Sequence, residues 1–102
     1  KLVEDAKLLE RIGCFALVLE KIPAKLAQKV AESISIPVIG IGAGSGVDGQ
    51  VLVLHDMIGM THEFSPRFLR RYMTLYEDMT KAIGQYVTDV KALDFPNANE
   101  QY

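Results

Sequence analysis

Two short, unbroken apolar runs, Cys14–Leu19 and Val38–Gly42, constrain this chain most, because each follows a stretch of helical period. Six apolar residues without alternation describe a strand buried on both faces, as in a parallel sheet covered by helices. Ahead of the first run, Leu2, Val3, Ala6, Leu8, Leu9 and Ile12 recur at helical spacing, with Glu4, Asp5, Lys7, Glu10 and Arg11 on the other side. Gly13 closes this helix in the manner of a C′ residue. Pro23 suits the first turn of a second helix, which runs to about Ser33 through Leu26, Val30 and Ala31. Ile36-Pro37 then leads into the second strand, and Val51–Leu54 reads as a third. Helix, strand, helix, strand, strand is the rhythm of an α/β protein with a parallel sheet. Only eight residues separate Gly42 from Val51, where a parallel crossover ordinarily takes a dozen or more. Either a single helical turn near Val47-Asp48-Gly49 makes the step, which is the favoured solution, or Val51–Leu54 pairs differently.

Bulk properties exclude several classes of function. The 102 residues make at most one domain, and an apolar fraction of 49% is too high for a disordered segment. A net charge of −2 and a pI near 5.6 give no electrostatic reason to bind nucleic acid or an anionic membrane. No apolar run approaches the roughly 18 residues that span a bilayer. The single cysteine, Cys14, has no partner for an internal disulfide and reads as a buried thiol. With no pattern of a signal peptide at Lys1–Ile12, a reducing, cytoplasmic setting is expected. The sequence opens on Lys1 and runs straight into a helix, as an excised piece of a longer chain would. Further along, Ser65-Pro66 has the form of an N-cap and first turn. It predicts a long C-terminal helix with a stripe of Phe68, Leu69, Tyr72, Met73, Leu75, Tyr76, Met79, Ile83, Tyr86, Val87 and Val90, which Gly84 could divide. Residues 1–93 form the expected domain, and 94–102, with Pro96, a polar tail.

Glu20 is the charged residue of greatest chemical interest. It ends the run Phe15–Leu19, and in parallel α/β folds the carboxyl ends of strands line the active site. Desolvation at the edge of an apolar core would favour its neutral form and suit it to general-base work. The competing reading is an exposed loop glutamate or an ion pair with Lys21. The run Gly40-Ile41-Gly42-Ala43-Gly44-Ser45-Gly46 fits no dinucleotide fingerprint, since no long helix follows, and no Walker loop, since Gly-Lys-Ser/Thr is absent. It forms either the glycine-lined wall of a pocket or a structural turn. His55 and Asp56 at the end of the third strand would face opposite ways and form a structural pair. His62 and Glu63 do not complete a metal-ligand spacing with the other carboxylates, so no metal site is assigned within this chain. Tyr72, Tyr76 and Met79 read as helix packing, and Arg67, Arg70 and Arg71 as a basic cluster on a solvated helical turn.

Three blocks occur in order: Phe15-Ala16-Leu17-Val18-Leu19-Glu20 with Ile22-Pro23; Ile36-Pro37-Val38-Ile39-Gly40-Ile41-Gly42-Ala43-Gly44; and Asp48-Gly49-Gln50-Val51-Leu52-Val53 with His55-Asp56 and Gly59. With these blocks the chain resembles the ketopantoate hydroxymethyltransferase family over nearly its whole length, fading after about Val90. The resemblance implies the C-terminal portion of a (βα)8 TIM barrel of the phosphoenolpyruvate/pyruvate type, a fold of about 250 residues. It implies hydroxymethyl transfer from 5,10-methylenetetrahydrofolate to 3-methyl-2-oxobutanoate, giving 2-dehydropantoate for pantothenate synthesis. In that chemistry the keto acid chelates Mg²⁺ and a glutamate removes its C3 proton, and the matching position here is Glu20. The Mg²⁺ ligands and most keto-acid contacts are expected in the missing N-terminal part, so this piece alone is expected to be inactive. No residue here is assigned to the folate co-substrate. A cytoplasmic homo-oligomer is the expected setting. The rivals are another 2-oxo-acid lyase or mutase on the same barrel type, and a non-catalytic α/β binding module.

Overall fold

A computed structural model describes residues 1–102. They divide into two compact units, Lys1–Val53 with Ser65–Leu69, and Leu54–Phe64 with Arg70–Tyr102.

The first unit begins with helix α1, Leu2–Arg11. Gly13 ends it as expected, at φ 103. Its N–H donates to the Glu10 carbonyl and that of Cys14 to the Leu9 carbonyl, at 3.0 Å each, which is the paired closure of a Schellman motif. Strand β1 is Leu17–Glu20, helix α2 is Ala24–Ser33 and strand β2 is Val38–Ile41. Pro23 is the N-cap of α2 and lies one position outside the first turn expected for it. A third strand, β3, is only Gly49–Gln50. All pairings are parallel, in the order β1-β2-β3. The register sets Leu17 opposite Val38 and Glu20 opposite Ile41.

One face of this sheet carries the core. Leu19 and Val38 cluster with Ala6 of α1, Ala27 and Val30 of α2, and Ala43 beyond β2. Val30 and Val38 are fully buried. By the alternation of strands, Val18, Glu20, Ile39 and Ile41 point to the opposite face, where Val18 is 64% exposed. The strand expected over Cys14–Leu19 with two buried faces is therefore corrected. It begins three residues later, Phe15 is 88% exposed and Cys14 only half-buried. The physical reason is that α1 and α2 both pack on one side, so the apolar run has a single covering layer in this unit.

The β2–β3 step uses no helical turn. The Asp48 carboxylate accepts from the Val38 N–H at 2.8 Å, while its own N–H donates to the Val38 carbonyl at 3.0 Å. This double clamp draws Gly49 and Gln50 alongside β2, and the Val51 N–H extends the ladder onto the Gly40 carbonyl at 3.0 Å. Val51–Leu54 is thus not the third strand.

The second unit holds a short helix, α3, at Leu54–Met57 and a long one, α4, at Leu75–Lys91. Its long helix starts ten residues after Ser65. The Ser65-Pro66 signal instead produces a turn closed by the Leu69 N–H on the Pro66 carbonyl at 3.0 Å. Thr74 caps α4 without a side-chain hydrogen bond. Two of the first N–H groups, which have no partner inside a helix, are taken elsewhere: Leu75 donates to the Ile58 carbonyl and Tyr76 to the Gly59 carbonyl, both at 3.0 Å. Gly59 adopts φ 71, and a Cβ there would collide with the Met73 carbonyl oxygen. Helix α4 runs unbroken through Gly84, and none of its residues is buried. Past its end, Phe95 meets Tyr86 edge to face at 5.6 Å. No helix is long and apolar enough to cross a membrane.

Candidate functional site

Chemistry-bearing residues gather at the carboxyl ends of β1 and β2. Glu20 is the last residue of β1. The rung beyond it is held by the Lys21 N–H, which donates to the Ile41 carbonyl at 2.9 Å, so the backbone carrying Glu20 is fixed on both sides. Its side chain is exposed, on the sheet face that α1 and α2 leave bare. The burial invoked to desolvate this carboxylate is therefore not supplied by the first unit. Lys21 itself adopts φ 53, a left-handed conformation that costs a non-glycine residue about 1–2 kcal/mol. That bend turns the chain from β1 into Pro23.

One residue past Glu20, Lys21 lines a cleft of about 620 Å³ together with Pro23, Gly42, Gly44, Arg67 and Phe68 among others; Glu20 itself does not line it. The glycine run forms one wall, but its glycines are demanded by protein rather than by ligand. A Cβ on Gly44, which has φ 78, would lie 2.5 Å from the Ala24 Cβ, and one on Gly46 would lie 2.9 Å from the Gln28 Cβ. The loop thus lies along α2, touching residues one helical turn apart. At Gly42 a Cβ would sit 2.9 Å from the Phe68 ring. The Gln50 side-chain amide secures the loop by donating to the Gly44 carbonyl at 2.8 Å. Pocket wall and structural turn are one and the same segment.

Other expected residues are placed differently from their sequence reading. His55 and Asp56 belong to α3 and not to a strand end. Successive helical positions diverge by about 100°; Asp56 is buried and His55 exposed. Arg67, Arg70 and Arg71, expected on a helical turn, lie outside the helices. Arg71 donates to the carbonyls of Thr61, His62 and Phe64 at 3.1, 3.1 and 2.8 Å, gathering that loop around one guanidinium. His62 stacks on Tyr76 with ring centroids 4.2 Å apart. No three His, Cys, Asp or Glu side chains converge to hold a metal ion. Sequence reasoning missed Asp48 as the clamp of the sheet and Arg67 and Phe68 as cleft residues. The Asp48-Gly49 pair was a usable signal for the first. Assigning Ser65-Pro66 to a helix start hid the second.

Comparison with known proteins agrees with these features. The sequence profile described as ketopantoate hydroxymethyltransferase matches residues 1–98. Among curated relatives named 3-methyl-2-oxobutanoate hydroxymethyltransferase, that of Flavobacterium johnsoniae is 76% identical over all 102 residues and is 38% covered by them. Those of Christiangramia forsetii and Parabacteroides distasonis are 71% and 69% identical over the whole chain, which covers 38% and 37% of their lengths. The chain thus spans well under half the length of these relatives. That share sets the extent of the piece and assigns it to neither end, so the C-terminal placement implied by the resemblance gains no support from it. The parallel α/β unit agrees with a fragment of such a protein, and three strands do not form a closed barrel. With a match across residues 1–98 and identities near three quarters, the chain belongs to the ketopantoate hydroxymethyltransferase family.

Proposed function

We propose that this chain, as part of a longer protein, serves the transfer of a hydroxymethyl group from 5,10-methylenetetrahydrofolate to 3-methyl-2-oxobutanoate, giving 2-dehydropantoate, with Glu20 as the general base. The observation that carries the role of Glu20 is its place at the carboxyl end of β1, on the sheet face left bare by both helices. In a closed (βα)8 barrel the strands' second face is turned inward and their carboxyl ends form the mouth. There the remaining strands would cover Val18, Ile39 and Ile41 and bring a substrate held in the mouth within reach of Glu20. Glu20 takes the C3 proton of the keto acid, and the carbon left behind bonds to the one-carbon unit. The two bonds from that unit to the folate nitrogens break, water supplies the hydroxyl oxygen, and tetrahydrofolate leaves with the C3 proton and one proton of the water on its nitrogens. The Mg²⁺ that the resemblance implies is taken, in this reading, to find its ligands in the rest of the longer protein.

The test is solvent deuterium exchange at C3 of the keto acid in the complete protein. Glu20→Gln is expected to abolish exchange, by a factor of about 10²–10⁴, while keto-acid binding persists. Exchange at the wild-type rate in that variant would remove Glu20 as the base.

A further inference from the structure

We propose that Lys21 and Arg67 form a carboxylate-binding subsite in this cleft, which begins one residue along the chain from Glu20. The proposal rests on the reading of Glu20 given above and names what sits beside it. Two cations from distant segments, the exit of β1 and the turn at Ser65–Leu69, line one cleft, and no acidic side chain joins them. That local sign runs against a chain with 13 acidic and 11 basic residues.

Both cations are anchored through the backbone. Lys21 is held by its rung to Ile41 and by the φ 53 bend. Arg67 is held through Phe68, whose ring abuts Gly42 so closely that a Cβ would not fit between them. Ile22, Pro23 and Phe68 supply an apolar lining beside the charges. A guanidinium binds a carboxylate through paired hydrogen bonds and an ammonium adds a mobile point charge. An apolar segment ending in a carboxylate is the ligand chemistry this combination recognises.

Under the proposed reaction two substrates carry carboxylates: the five-carbon keto acid and the glutamyl end of the folate. The keto-acid carboxylate is only two bonds from the C3 that Glu20 must reach, and Glu20 does not line the cleft, so the folate, whose glutamyl end is set off from its one-carbon unit by an aryl ring, is the expected occupant. Lys21 and Arg67 then hold its glutamyl end while the one-carbon unit lies over Glu20.

The experiment uses the complete protein with Lys21→Gln, Arg67→Gln and the double variant. Turnover is measured against methylenetetrahydrofolate and against the methylene derivative of tetrahydropteroate, which lacks the glutamyl group. Folate-independent C3 exchange against keto-acid concentration forms the second arm, and it also reports that each variant is folded. Each single variant is expected to raise the folate KM about tenfold or more and to leave the pteroate KM near wild type, with Lys21→Arg restoring most of the loss and Arg67→Lys, which keeps the charge without the paired hydrogen bonds, only part of it. A rise confined to half-saturation by keto acid in the exchange arm would support the same subsite with the keto-acid carboxylate as its occupant. Unchanged constants in both arms, or equal rises for folate and pteroate, would overturn the proposal. Wild-type turnover that does not depend on folate would instead overturn the functional reading, before any variant is compared.

Discussion

Alanine at Gly44 and alanine at Gly84 are predicted to act on stability with opposite sign. At Gly44 the backbone has φ 78 and the new Cβ would lie 2.5 Å from the Ala24 Cβ and 3.2 Å from its Cα. The left-handed conformation costs an alanine about 1–2 kcal/mol. Forcing a methyl group into occupied space adds about 1–3 kcal/mol, since the obstructing atoms belong to a helix backbone and a residue with no rotamer to change. Reduced freedom of the unfolded chain returns about 0.4–1 kcal/mol, so the net loss is roughly 1–5 kcal/mol. Gly84 lies inside α4 with nothing within 4 Å of its Cβ position, and alanine there should gain about 0.8–1 kcal/mol. Gly46 is intermediate, because its Cβ would meet the Gln28 side chain, whose outer atoms can move. At about 2–4 °C per kcal/mol for a protein above 150 residues, thermal unfolding of the complete protein should rank Gly84→Ala above wild type, then Gly46→Ala, then Gly44→Ala. A Gly44→Ala protein melting at or above the wild-type temperature would refute the close-packed account of this loop.

The clamp at Asp48 makes a second prediction: Asp48→Ala leaves the N–H of the fully buried Val38 without its 2.8 Å acceptor and should cost about 1–3 kcal/mol. Asp48→Asn, which keeps an acceptor oxygen, should recover most of that loss in the denaturant midpoint. Glu10 accepts hydrogen bonds from the hydroxyl and the N–H of Ser35, and the hydroxyl first, then the N–H, hold its carboxyl below the ordinary value of 4.5. A depressed folded-state pKa means stabilisation that is present above pH 4.5 and lost as pH falls through the lower folded value. The acid limb of the stability curve should therefore flatten in Glu10→Gln, and an unaltered limb would dismiss the contribution of this contact.

Helices α1 and α2 were legible because their signals are local. The apolar spacing, Gly13 past the end of α1 and Pro23 before α2 concern neighbours along the chain, and the helix ends fall within a residue or two of expectation. The parallel sheet was legible as a class, while its third strand was not. Val51–Leu54 has strand-like composition, yet pairing is decided by the Asp48–Val38 exchange ten residues apart, which no periodicity encodes. The start of α4 was misread for the same kind of reason. Ser65-Pro66 is a sound local signal, but Phe68 is placed against Gly42 and the segment closes as a turn. Glu20 was legible from its position after an apolar run. Lys21 and Arg67 were not, because a cleft that joins residues 46 positions apart exists only once the sheet has formed.

The way α4 begins bears on the order in which the second unit assembles. A helix with its own side-chain cap can nucleate from sequence alone, whereas α4 borrows acceptors from Ile58 and Gly59. Its body is free to form early, through contacts four residues apart. Its start is anchored later, because the acceptors for the Leu75 and Tyr76 N–H groups exist only after the chain has looped back through 17 residues to the turn that follows α3. Any event that opens the 58–59 turn also unwinds the first turn of α4, and the two should exchange their amide hydrogens as a single cooperative group.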